Sequence, residues 1–368
     1  MNKKLLDLYS DYLISSFSQV TATGLSTLLE GAYSHDQITR FLGQKPYDGK
    51  AYWQLLKPVV RQIEHEAGVL VVDDTIEAKP YTDESELVCW HYDHSQGRRV
   101  KGMNILTFVY HTPQPQGAPA TLPVAYEVVT KPEQFQDPKT NRWKRRSQVT
   151  KNELVRQRLK ILSHTNQLSF KYVLTDIWFS SKDNMNWLKL TLGREFVMAL
   201  KGNRLVALSD TDKRNGQFVP LSELDWNVGQ TRQVYLKGIA FPVVVTRQRF
   251  TNQDGATGIL YLVSSDTSLS YFDLITIYQK RWCVEVFHKS IKQNAALERS
   301  PTKTVRSQRN HIFAAMIAIV KLETLKLNLY TNHFALKTKL YLKATLAAFQ
   351  ELNLLHKQMP QGLTFDLA

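Results

Sequence analysis

The chain has 368 residues, 43% hydrophobic and 22% charged, with 47 Lys and Arg against 33 Asp and Glu and a formal net charge of +14. That composition excludes a disordered tail and fits one large or two to three modest domains, and an apolar run no longer than residues 312–320 excludes a membrane-spanning helix of about 20 residues. Two cysteines, Cys89 and Cys283, exclude a disulfide framework and suggest a reducing compartment, Asp7 interrupts the N-terminal apolar stretch too early for a secretory signal, and the excess charge points to a polyanion such as nucleic acid.

Residues 1–66 read as helices whose charges cancel. Two pieces, 23–30 and 35–42, flank Gly31-Ala32-Tyr33-Ser34, with Ser34 as N-cap of the second; the pair reads as a helical hairpin or a helix-turn-helix. From residue 68 the period changes. Val69-Leu70-Val71-Val72-Asp73-Asp74-Thr75 is a buried strand ending in two acids, and a loop of about 25 residues is expected after it. Strands follow at 104–111 and 122–129, then a helix through about 162 opened by the Thr150–Glu153 capping box. Tyr172-Val173-Leu174-Thr175-Asp176 is another buried strand with an acid at its end, followed by a helix at 183–190 and a strand at 196–200. This order is the plan of an RNase H-like α/β core. Residues 202–263 read as an inserted strand-rich subdomain, residues from Ser270 to about 297 as a long helix, and about 306–355 as further helix. The expected division is thus 1–66, a core in two parts (67–201 and 264–310), the insertion at 202–263 and a helical tail at 311–368.

The long helix carries the chemistry. At about 100° per residue, Tyr278, Arg281, Glu285 and Lys292 share an arc of roughly 60°, with Lys289 beside them, while Cys283, Val284, Phe287 and Ile291 cover the opposite side. A carboxylate among cations on one face is either a solvated ion-pair stripe or an active-site edge. Strand ends bearing Asp74 and Asp176 supply two further carboxylates, the hard oxygen donors that Mg²⁺ requires. His91-Tyr92-Asp93-His94 reads as a polar loop near such a site rather than a zinc site.

The order Tyr278, Arg281, Glu285, Lys292, within Tyr-x-x-Arg-Trp-x-x-Glu-x-Phe-His-Lys-x-x-Lys and followed by Glu298-Arg299, resembles the YREK signature of a branch of bacterial insertion-sequence transposases of the DDE type. The resemblance spans roughly residues 67 to 310. It implies that Asp74, Asp176 and Glu285 are catalytic and hold Mg²⁺, as two ions that Mn²⁺ can replace. In the family pattern the catalytic Asp is followed directly by Thr, which favours Asp74-Thr75 and leaves Asp73 and Thr75 as supporting groups. It further implies double-stranded DNA at the element's terminal inverted repeats and in the target, a homodimer on DNA, no membrane partner, and a cytoplasmic location at the nucleoid. Tyr278, Arg281, Lys289, Lys292 and Arg299 become candidate DNA contacts. A stacking aromatic on the last strand of the insertion is also implied, where this chain offers Tyr261. Finally, the charge is local: residues 139–160 hold nine Lys or Arg and one acid, and 279–309 hold eight and two, which accounts for the whole excess. Arg142, Lys144, Arg145 and Arg146 in the first stretch are further candidate phosphate contacts.

Overall fold

The N-terminal region forms α1 (Lys3–Ser15), α2 (Ala22–Leu28), α3 (His35–Gly43) and α4 (Gly49–Ile63) in a computed structural model that describes residues 2–93, 96–115, 117–251, 255 and 257–358. Ser34 caps α3 as expected, in a reciprocal box with Gln37. The apolar stripes of these helices are buried, with Tyr9, Leu13, Ile38, Tyr52 and Leu56 almost wholly out of solvent.

The sheet begins with β1 (Val69–Ala78), whose first four residues are buried on both faces. It continues through β2 (Cys89–Asp93), β3 (Arg98–Thr112) and β4 (Ala120–Val129). The expected loop after β1 therefore contains β2 and the start of β3. Residues 89–92 alternate buried and exposed, a strand period masked by a histidine on the inner face and aromatics on the outer one. Gly102 is required where β3 passes between β1 and β2, because a Cβ there would lie 2.1 Å from the Glu77 carbonyl oxygen. A hairpin follows, β5 (Glu133–Gln136) with β6 (Trp143–Arg146), which charge-rich composition concealed from the sequence reading.

Next come α5 (Lys151–Lys160), prolonged by a π-helical turn to Thr165, then β7 (Tyr172–Thr175), α6 (Lys182–Asn186) and β8 (Glu195–Leu200). Residues 202–263 supply β9 (Leu205–Ala207), α7 (Asp210–Arg214), β10 (Val219–Pro220), β11 (Thr231–Leu236), β12 (Val243–Thr251) and β13 (Thr257–Ser264). These strands are not set apart from the core. β13 pairs antiparallel with β8, so the order runs β10-β9-β11-β12-β13-β8-β7-β1-β3-β2 in one 11-stranded mixed sheet, with β4 also on β3. Among the described residues only the β1–β7 and β7–β8 pairs are parallel.

The chain ends in α8 (Tyr271–Gln279), α9 (Cys283–Asn294), α10 (Val305–Leu329) and α11 (His333–Lys357). The single helix expected from residue 270 is α8 and α9 joined by a 3₁₀ turn at Lys280–Trp282, with the Ser270–Asp273 capping box at its start. α8 lies on β8 and β13, α9 on β1 and α10 on β4, while α10 also packs on α1, α3 and α4. The two terminal helical regions are thus one layer. α5, through Val155 and Leu159, and the π-helical turn that follows α6 (Trp187–Thr191), through Leu188, lie over Val173 and Met198. Among the described residues no helix is long and apolar enough to cross a membrane.

Candidate active site

Sheet register decides which strand-end acids meet. β1 and β7 run parallel with Val72 beside Thr175, so the next step along both strands sets Asp73 beside Asp176. Side chains alternate along a strand, hence Asp73 shares its face with Val71 and Leu174, and Asp74 projects from the other face. Hydrogen bonds agree with this parity. Opposite Asp73 on β3 is Thr107, whose hydroxyl meets His288 Nε2 of α9 at 3.0 Å, and Arg281 Nη1 donates to Asp73 Oδ2 at 3.0 Å. Asp74 instead accepts from Lys151 Nζ at 2.8 Å, at the start of α5, and from Asn104 Nδ2 of β3.

Glu285 enters from α9. Arg281, one helical turn earlier, donates from Nη1 to Asp73 and sets Nη2 3.3 Å from Glu285 Oε1, so one guanidinium joins the strand acid to the helix acid. Tyr278 packs beside it, with the Arg281 guanidinium carbon 5.9 Å from the ring centroid, and burial pushes the phenol up to about 12. Asp176 ends β7 and accepts from the Trp178 amide at 3.0 Å. Burial, followed by repulsion from Asp176, raises the Asp73 carboxyl to about 7 against the pull of Arg281, and Glu285 adds to the rise. Asp176 is also raised, first by burial, then opposed by the Trp178 amide and Arg281, with Asp74 adding repulsion.

Asp73, Asp74, Asp176, Arg281 and Glu285 line a cleft of about 610 Å³ that also includes Thr75, Tyr92, Lys151, Trp178 and Lys292. Lys151, Asn104 and Trp178 join the site without a local sequence signal. The Thr150 cap was visible and places Lys151 in the first turn of α5, but nothing in the sequence aims that turn at Asp74. His91 lies in β2, buried, with its Nε2 3.3 Å from Cys89 Sγ, and not in a loop; His94 and Ser95 lie outside the described residues.

The family model for DDE superfamily endonucleases matches residues 2–216, more than half of the chain and the part that contains Asp73, Asp74 and Asp176. The chain belongs to that family. A second model, for the transposase DDE domain, matches residues 145–321, which contain Asp176, the Tyr278–Lys292 signature and Glu285. No curated protein matches. Among solved structures, endonuclease V from Bacillus subtilis aligns over 77% of this chain and 100% of that one at 11% identity, with a TM-score of 0.24, too low to bear on the fold. Membership in the DDE superfamily makes this a nucleic-acid-cleaving enzyme of the transposase and endonuclease type, acting on DNA.

In this DDE enzyme the donor set suits a hard divalent cation. All the ligands on offer are carboxylate oxygens, and two of them sit in a buried, mutually repelling pair whose raised pKa values a cation would relieve. Among the described residues no three acids, histidines or cysteines form a ready-made cage, and Arg281 stands where their charges converge.

The remaining candidate contacts divide sharply. Lys292 donates to the Ile76 carbonyl at 3.1 Å and lies 3.4 Å from Glu298, Lys289 stands over the Phe334 ring, and Arg299 donates to the Ser16 carbonyl at 3.1 Å, holding the N-terminal helices rather than facing the cleft. Arg142, Lys144, Arg145 and Arg146 lie on or beside the β5–β6 hairpin, with Arg142 exposed, Lys144 paired to Asp137 and Arg146 to Glu133. Tyr261 is only 7% exposed and packs on Trp226, which removes it as a stacking platform.

Proposed function

We propose that the protein is a transposase with an RNase H-like core that binds the terminal inverted repeats of an insertion sequence, cleaves DNA at the element end with Mg²⁺, and joins the freed 3′-hydroxyl to target DNA. The observation that carries the reading is the convergence of Asp73 and Asp176 from parallel strand ends with Glu285 from α9, linked through Arg281. Sheet parity favours Asp73 over Asp74 as the strand acid of the set.

Asp73, Asp176 and Glu285 are the groups that would hold the metal. When bound there, Mg²⁺ supplies activation of the attacking oxygen and stabilisation of the leaving one. Arg281, once parted from the acids, faces the scissile phosphate and neutralises it, and the Tyr278 ring holds the guanidinium in place. Lys151 holds Asp74 at the cleft wall and adds positive charge at the α5 rim. Lys292 fixes the end of β1 through Ile76. Cleavage adds the oxygen of water to phosphorus and releases the 3′-oxygen, and in strand transfer that hydroxyl attacks a target phosphodiester, whose own 3′-oxygen leaves as the new bond forms. Two copies acting on paired ends fit this scheme, as does action at the nucleoid.

The test supplies a pre-cut end of the DNA flanking the coding sequence, with a free 3′-hydroxyl, a supercoiled target and Mg²⁺ or Mn²⁺. Joined product is the expected result. Nicking without joining would reduce the reading to a nuclease, and no DNA breakage at all would remove it. Glu285→Gln should abolish both reactions while leaving end binding largely intact.

A further inference from the structure

A second cleft, of about 500 Å³, lies next to the acidic one and shares Tyr92 with it. On the outer face of β2, Trp90 and Tyr92 stand two residues apart, about 7 Å along the strand, and are 51% and 52% exposed. Directly across on β3 are Lys101, opposite Trp90, and Arg99, opposite Tyr92. The β5–β6 hairpin closes the other side with Trp143, 71% exposed, flanked by Arg142 and Arg145. Lys131 Nζ donates to the Trp90 carbonyl at 2.7 Å, and Arg145 Nη1 lies 3.4 Å from the Lys131 carbonyl, so the hairpin is tied to β2. Among the described residues Arg145 Nε is buried with no hydrogen-bond partner, a donor left over at this wall.

Burying three large rings would normally be favourable, and a fold gains nothing by leaving them half in water between guanidinium groups. Flat π-faces alternating with cations match one ligand chemistry: bases out of the double helix, stacked on rings, with their phosphates against Arg and Lys. A paired duplex presents no free base faces to such a cleft. We infer that this cleft binds unpaired nucleotides of the DNA strand that continues past the acidic site, with Trp143 and Trp90 as stacking platforms and Arg99 and Arg142 on the phosphates. The inference rests on the DNA-cleaving reading above, but its test reads binding alone.

The experiment uses the full chain carrying Asp73→Asn, so that no cleavage intervenes, and a DNA duplex with either a blunt end or a short unpaired overhang bearing 2-aminopurine. The expected result is quenching of the overhang probe on binding and tighter binding of the overhang than of the blunt duplex. Trp143→Ala or Trp90→Ala should each reduce that preference roughly ten-fold and relieve the quenching, while Trp143→Phe keeps most of both. Trp143 is exposed, so its variants should melt like the parent, which thermal unfolding checks. Equal affinity for the two ends, or a preference unmoved by Trp143→Ala, would overturn the inference. Neither result depends on whether the unmodified enzyme cuts or joins DNA.

Discussion

Two stretches of similar basicity, residues 139–160 and 279–309, differ in where the cations nearest the clefts point. In 279–309 Arg281 turns inward to Asp73 and Glu285, Lys292 to Ile76 and Glu298, and Arg299 to Ser16, while Lys289, Lys303 and Arg306 stay exposed. In 139–160 Arg142 is exposed and Lys151 and Arg145 line clefts, with Lys151 bonded to Asp74, Lys144 to Asp137 and Arg146 to Glu133. Charge density along a sequence therefore says how much positive potential is present, not whether it is free to meet a phosphate. A cation already bonded to a carboxylate or carbonyl contributes to folding or to site electrostatics, and only its release makes it a DNA contact.

The strongest way to break this contrast is at the acids that the inward cations serve. Asp73→Asn should lower the cleavage rate by about three orders of magnitude or more, the loss of several kcal/mol of transition-state stabilisation. Asp74→Asn, which loses only the Lys151 and Asn104 contacts, should retain readily measurable nicking of supercoiled plasmid. The reverse ranking would restore Asp74 to the centre of the site. The next effect is on salt dependence. Arg142→Ala should reduce the slope of log affinity against log salt by about one, whereas Arg299→Ala should leave the slope unchanged and lower the melting temperature. If both variants change the slope alike, the two stretches are not different in kind.

A third test is on stability, in EDTA. The Asp73 carboxyl titrates at about 7 in the fold and near its ordinary 3.8 when unfolded. The folded state therefore holds a proton that the unfolded chain loses, so stability from this group is present below about pH 4 and is lost as pH rises towards 7. Asp73→Asn should accordingly melt higher than the parent at pH 8, with the gap closing near pH 4, as followed by circular dichroism. The smallest effect expected is for Lys289→Ala, which loses the stack on Phe334, 5.4 Å from its ring centroid. Such a contact at an exposed site is worth about 0.5–1 kcal/mol, and in a chain of this length the melting point should fall by only about 1 °C.

Much of this site could be read in the sequence, and the reasons it could not be read entirely are specific. Asp176 was legible because a short buried strand ends on it. Glu285 and Arg281 were legible because helical periodicity brings them to one face, and the 3₁₀ turn at Lys280–Trp282 did not prevent them from meeting. Asp73 and Asp74 were legible as occupying opposite faces of β1, but not which face was which. That depends on pairing with β7, nearly 100 residues away, and a one-residue change of register would exchange their roles. The motif-based preference for the Asp before Thr had no access to that register. The hairpin was hidden because its two strands have four residues each and their charges mask any apolar alternation. In residues 202–263 the strand content was visible, but the β13–β8 pairing that merges it with the core sheet is a non-local contact with no local signal.

Arg281 bridges two acids from different elements, so a metal ion held by them as proposed would enter by exchange for the guanidinium rather than by simple capture. A tethered guanidinium already balances the carboxylates, so the chain can fold and be stored without a supplied cation. If Asp73 and Glu285 were to hold a divalent ion, Arg281 would leave them and, being tethered, would need another anion within a side chain's reach. The backbone of bound DNA offers one. Occupancy of the acids and occupancy of the phosphate position are then two halves of one equilibrium, and each ligand should raise the affinity for the other by the same factor.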